Sequence, residues 1–345
     1  MNTKRLTLAI FAALAARLTI GTTQAQQAQQ TQQTAKVYRV GALFNRVPGP
    51  EFELLKKELA RLGYAEGTNI VFEARFAEGK LDRLPGFAAE LVAMNVDVIA
   101  AYGGPPTAAA RKATTTIPIV AQLVADPVAI GAAATLARPG GNVTGATNHD
   151  ALRATRQLAI LKEVFPKLAR VAFLSDADIP GADASGFAPI ERDNIAAAAT
   201  ANIRPQTLKL RGPAPDLGAA FDSIVSEKAD ALVVMEVPVT ILTRACIIEL
   251  ATARRIPVMF WGGVADAGVL MSYGTSIADT YQRMPVVVDK ILKGAKPAET
   301  AFEQVTRQEF VVNLKVAREL GVTIPPELGV TIPPELLKRA DRVIE

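Results

Sequence analysis

One phrase repeats through most of this chain: a short apolar run rich in β-branched residues, a Gly, Pro or Asn loop, and then an apolar stripe at helical spacing. VYRVGALF (37–44) is followed by Phe52, Leu55, Leu59 and Leu62, which share one helix face. NIVFEARFA alternates Ile70, Phe72, Ala74 and Phe76 as a strand does, and Leu84, Phe87, Leu91 and Val92 make the next stripe. DVIAAY and IPIVAQLV read as two more buried strands. Strands alternating with helices in this way build parallel βαβ units and an open α/β sheet.

After Asn142-Val143-Thr144-Gly145 the phrase starts again with RVAFL (170–174), an alanine-rich helix around 190–201, QTLKL, a helix near 216–227, DALVVM and IPVMF. The expected fold is therefore α/β, with two Rossmann-like lobes of parallel sheet facing each other across a cleft. GVLMSYG (268–274) and EFVVNL (309–314) come late enough for the chain to return between lobes, giving about three crossovers and a multi-strand hinge. The N-terminal lobe is expected at 36–150, completed by about 266–300. The C-terminal lobe is expected at 151–265, completed by about 301–345.

The first 25 residues read as a secretory signal. Lys4 and Arg5 form a charged start, residues 6–16 an apolar core, and Thr23-Gln24-Ala25 a small-x-small cleavage site before Gln26. The apolar run is too short for a lasting membrane span. Residues 26–35 (QQAQQTQQTA) are polar and of low complexity, as expected of a disordered leader. No cysteine follows the signal to carry a lipid, so the expectation is a soluble protein of the periplasm. The eight-residue segment GVTIPPEL at 321–328 recurs at 329–336, too short for a solenoid repeat and expected as a tolerated surface duplication.

The chain carries one cysteine, Cys246, and one histidine, His149. An internal disulfide, a His/Cys metal site and a Ser-His-Asp or Cys-His nucleophile are thereby disfavoured, and no cofactor is expected. The net charge of +4 is spread without a basic run and aromatics are 6% of residues, so no nucleic-acid partner is expected.

Ligands of open α/β sheets sit beyond the carboxyl ends of strands, and the candidate site residues are those in such loops. Gly104, Pro105 and Thr107 belong to a Gly-Gly-Pro-Pro-Thr loop that opens a helix, either an anion site of free amides or a turn that lets strand and helix pack. Asp126, in VADPVAIG, could pair with a ligand ammonium or cap a helix started by Pro127. Asn45 and Arg46 follow the first strand, Asn148 follows GNVTG, Glu236 follows DALVVM, and Trp261 follows IPVMF. Trp261 could stack on a ligand or belong to the core. Tyr273 and Tyr281 have weaker claims, Tyr281 as helix packing.

GYAEGTNIVFEARFAEGKLDRLPGFAAELV, VDVIAAYGGPPTAAARKATTTIPIV, DPVAIG, LARPGGNVTG, GVLMSYG and ILKGAKPAE, in that order, closely resemble the ABC-transporter substrate-binding family that includes tryptophan- and tyrosine-binding lipoproteins. The likeness runs from about Tyr38 to Glu345. It implies a type I periplasmic-binding fold, closure of two lobes on a small-molecule ligand, and delivery to a membrane permease with its ATPase. A non-enzymatic protein is expected, and a monomer, since both lobes must be exposed to the permease. Two stretches depart from the family: SDADIPGADASGFAP (175–189) is longer and richer in glycine, and Thr275-Ser276 stands where Pro-Asp is common. The alternatives are a periplasmic sensor that signals to a membrane receptor and an α/β enzyme acting on a small acid through Asp126 or Glu236.

Overall fold

The computed structural model describes residues 36–124, 126–264, 269–321 and 332–345. The expected signal, the polar leader and most of the duplicated segment lie outside them. Strand β1 (Tyr38–Phe44) shows how alternation builds the first lobe. Val40, Ala42 and Phe44 enter one core together with Leu55 and Leu59 of helix α1 (Pro50–Arg61), while Leu43 enters a second core on the opposite face. Strand β2 (Ile70–Phe76), helix α2 (Leu84–Ala93), strand β3 (Val98–Tyr102), helix α3 (Gly104–Ala113), strand β4 (Ile119–Gln122) and strand β5 (Val143–Thr147) follow. The five strands pair in parallel in the order β2-β1-β3-β4-β5.

Gly145 explains why β5 needs a glycine. Its φ is +150°, and a Cβ there would stand 1.9 Å from the carbonyl oxygen of Ala121, its partner on β4. Any larger residue would force the two strands apart.

The second lobe repeats the plan with helix α4 (Arg153–Val164), strand β6 (Arg170–Asp176), helix α5 (Pro189–Thr200), strand β7 (Arg204–Leu210), helix α6 (Leu217–Ser226) and strand β8 (Ala231–Val234). Helices α7 (Pro238–Leu242) and α8 (Arg244–Ala253), then strands β9 (Val258–Phe260) and β10 (Met271–Thr275), continue it. The order β7-β6-β8-β9-β10 is again parallel and mirrors that of the first sheet.

The last segment is shared out. The stretch 266–300, assigned to the first lobe on sequence, divides: β10 pairs with β9 in the second sheet, and helix α9 (Ile277–Leu292) returns to the first. Met284, Val287, Val288 and Ile291 anchor α9 in the core beneath β1 and β3, each such buried side chain contributing roughly 1.5–3 kcal/mol relative to exposure. Strand β11 (Glu303–Gln304) then adds to β5. The chain crosses once more to strand β12 (Gln308–Asn313), which runs antiparallel to β10; helices α10 (Leu314–Glu319) and α11 (Pro334–Arg339) and strand β13 (Arg342–Ile344) follow. Three passages, after β5, after β10 and after β11, connect the two α/β units.

Candidate functional site

In each sheet the strand order reverses beside its first strand, between β1 and β3 and between β6 and β8. Loops leaving neighbouring strands on either side of such a point diverge and leave a crevice at the carboxyl edge. The two crevices face each other. They form a single cleft with about 1180 Å³ of empty space, open solvent included. Leu81, Leu123 and Ile130 from the first lobe oppose Ile179, Ile190 and Leu242 from the second, and the polar groups stand at the strand ends.

The lobes meet at the rims. Gly79 (φ +80°) lies so close to the second lobe that a Cβ there would stand 2.8 Å from Leu242 and 2.9 Å from Pro213. At the other rim Gly104 faces Pro180, and Gly181 faces Ile130, within the 175–189 loop singled out as longer than usual. This is a closed arrangement.

Among the residues expected from sequence, Asn45, Arg46, Gly104, Pro105, Asp126, Asn148 and Glu236 all line the cleft. Thr107 does not: it is fully buried, and its hydroxyl donates to the carbonyl of Gly103 at 2.8 Å. Trp261 is 3% exposed, packs its ring on Phe260, and borders a second cavity behind the cleft. Tyr281 borders that cavity too, and its hydroxyl accepts from Arg46 at 2.6 Å.

The Gly-Pro-Pro loop offers less to an anion than its glycines suggest. Pro105 and Pro106 have no N–H, and the amide of Thr107 already donates to Gly103 O at 3.1 Å. Gly104 alone of this turn has an amide left to give. Asp126 starts a series of turns rather than a helix, but it caps them as a helix start would. Its Oδ1 accepts from the amides of Val128 (3.0 Å) and Ala129 (2.9 Å), and its Oδ2 lies 3.9 Å from His149 Nε2.

Across the cleft, Glu236 is placed differently. Its side chain is 7% exposed, and burial pushes its carboxyl above the usual range against the opposing pull of Arg153, Arg46 and Asn148. Glu236 Oε2 accepts from Asn148 Nδ2 at 2.8 Å and stands 3.4 Å from Arg153 Nη1. Glu236 Oε1 and Asn148 Oδ1 are enclosed and accept nothing. Arg46 is held in place by a 2.7 Å ion pair to the buried Glu51 as well as by Tyr281.

Sequence reasoning missed Tyr102, Arg153 and Asp176 as cleft residues. Tyr102 ends β3 and stacks on Phe44 at 4.1 Å, and Asp176 ends β6, so the strand-end rule would have found both. Asp176 is occupied by its own chain, accepting from the amides of Asp178 (2.9 Å) and Val239 (3.0 Å). Thr275 and Ser276, where the sequence departs from its family, are buried at a lobe crossing instead. Ser276 caps α9 and donates to Glu309 at 2.7 Å.

No helix among the described residues is long and apolar enough to cross a membrane, and no cluster of three or more His, Cys, Asp or Glu there could hold a metal.

Residues 51–344 match the family described as ABC transporter substrate binding protein. A tyrosine-binding protein of Clostridioides difficile (strain R20291) is 24% identical over 258 residues, 74% of this chain and 72% of that one. In fold, the chain is similar to a conserved domain protein of Vibrio cholerae O1 biovar El Tor (TM-score 0.78, 24% identity, 89% of this chain and 100% of that one). It is also similar to a Streptococcus pneumoniae ABC domain solved with L-Trp (TM-score 0.76, 23% identity, 90% and 100%). With most of its length matched, and two α/β lobes closed over a strand-end cleft, this chain belongs to the ABC transporter substrate-binding protein family.

Proposed function

We propose that this protein is the periplasmic receptor of an ABC importer, binding an amino acid or a related small acid between its lobes and passing it to a membrane permease and its ATPase. The observation that carries the reading is the cleft itself: apolar walls from both lobes, with Asn45, Arg46, Gly104, Asp126, Asn148 and Glu236 at the strand ends around them. A binding protein acts by population shift. Open lobes sample closure, and contacts made from both sides hold the closed form. No bond is made or broken, and the closed monomer is the form the permease accepts.

A thermal-shift screen of the chain from Gln26 against amino acids, aromatic and aliphatic acids, and sugars tests this. A ligand present at a hundred times its Kd adds about 2.7 kcal/mol, enough to raise Tm by several degrees. Small-angle scattering with and without the hit should show the chain becoming more compact. A panel that shifts nothing, or a hit that leaves the solution shape unchanged, would sink the reading.

A further inference from the structure

A second, smaller space lies between the lobes where the chain first crosses from one to the other. It holds about 290 Å³ of empty volume, open solvent included, and charge lines most of it: Asp126, His149, Asp150, Arg153 and Asp193, beside Asn194. Two of these groups belong to the first lobe. Asp126 lies in the loop after β4, and His149 is tied to that sheet, its amide donating to Thr147 Oγ1 of β5 and its carbonyl accepting from Gln304 of β11, each at 3.0 Å. Asp193 stands opposite, on helix α5 of the second lobe.

These charges are not equally engaged. Asp126 gives Oδ1 to backbone amides and leaves Oδ2 3.9 Å from His149 Nε2. Asp150 accepts from Arg156 (2.9 Å) and from the Leu152 amide (3.0 Å), Arg153 leans on Glu236, and Arg192, beside Asp193 in the chain, pairs with Asp183 at 3.0 Å. Among the described residues no hydrogen bond or ion pair reaches Asp193. It is half-buried, and burial holds its carboxyl above the usual range; His149 draws it down, Asp126 pushes it up, and Arg153 and Arg192 draw it down again. Closure therefore brings two like charges, Asp126 and Asp193, toward one imidazole. Like charges brought together at an interface oppose its formation, and a cation between them relieves the opposition. The arginines stay charged throughout and set a constant background. Histidine is the side chain whose ordinary charge change falls between about pH 5 and 8, and His149 is the chain's only one.

We propose that His149 is a proton-dependent latch on lobe closure, its charged form drawing Asp193 of the second lobe toward Asp126 of the first. The inference rests on the reading that the lobes open and close. Charged, the imidazole gains a second carboxylate when the lobes meet; neutral, it leaves the two acids facing each other. A proton held more firmly by the closed form shifts the balance toward that form as pH falls, so closure is favoured on the acid side of histidine's range and loses this contribution as pH rises through it. Because the groups are partly exposed, the effect is modest, about a threefold change in the ratio of closed to open molecules.

Single-molecule energy transfer reads that ratio directly, between a dye on Cys246, exposed on α8, and a second on Lys57→Cys, exposed on α1. Without ligand, the closed fraction should be larger at about pH 5.5 than at about pH 8. His149→Gln, neutral at both, should lose the difference and stay at the ratio the parent chain shows at the higher pH. Asp193→Asn should lose it too but stay nearer the acid ratio, because the repulsion is gone. Circular dichroism should be unchanged in both. A ratio that does not move with pH, or a difference that survives in His149→Gln, overturns the latch; survival would hand the titration to Glu236 or to Asp193 alone. Should pH leave the ratio alone while L-tryptophan, L-tyrosine, benzoate or ribose closes the lobes, the latch falls and the receptor reading stands. If neither pH nor any of these probes changes it, the two fall together.

Discussion

The two walls of the cleft are built from different materials. At the loops after β3 and β4 the first-lobe wall works through backbone: a glycine-proline turn at Gly104 and Pro105, and Asp126 Oδ1 accepting from the chain that follows it. The wall contributed by Glu236 is made of side chains, and its carboxylate is buried and only half partnered. Asp126 commits one oxygen to the amides of its own chain, whereas Glu236 is partnered only by side chains, those of Asn148 and Arg153. On this contrast, substitutions on the first wall should act on stability and those at Glu236 on recognition.

The largest effect is expected behind the first wall. Gly145→Ala should cost at least about 3 kcal/mol, because its Cβ would overlap Ala121 O across β4 and β5; denaturant melts should show a large loss or no folded protein. Next, Glu236→Ala should lower ligand affinity by about a hundredfold in calorimetry, since removing a buried charged partner typically costs several kcal/mol. A smaller stability effect belongs to Asp126→Ala. Losing the two amide bonds to Oδ1 should cost about 1 kcal/mol in a denaturant melt and change ligand affinity less than fivefold. An affinity loss there larger than that of Glu236→Ala would invert the contrast.

The smallest effect is a pH dependence. Glu236 holds its proton to higher pH when folded than when unfolded, because burial penalises the charged form. The folded state then carries the proton while the unfolded chain has released it, so Glu236 contributes most below the ordinary carboxylate range and less as pH rises through its raised value. The stability of the wild type relative to Glu236→Gln should decline over that window. Denaturant melts at stepped pH read the slope.

The alternation of strand and helix was legible because burial on both faces leaves apolar runs such as VIAAY and ALVV that admit few other readings. Less legible was where late elements go. Glu303–Gln304 is two polar residues, with no apolar pattern to mark it as an edge strand beside β5. Met271–Thr275 joins the second sheet by pairing with β9, a long-range choice that periodicity does not encode.

At the site, the rule of strand ends finds positions but not directions. It picked Thr107 and Trp261 along with Asn148 and Glu236, yet the first two turn their side chains away from the cleft. Nor does a sequence reveal that Asp126 spends one oxygen on its own backbone while Glu236 does not. That difference arises only when Asn148 and Arg153, distant in the chain from Glu236, are folded against it.

The three passages between sheets also make each lobe a genetic mosaic. The first sheet needs β11, which comes after the whole of β6 to β10, and the second needs β12 and β13, which come after β11. No single truncation, from either end of the gene, leaves one complete lobe without part of the other. A nonsense mutation anywhere before residue 300 therefore removes an edge from both sheets at once, and the protein is inherited, expressed and lost as a whole.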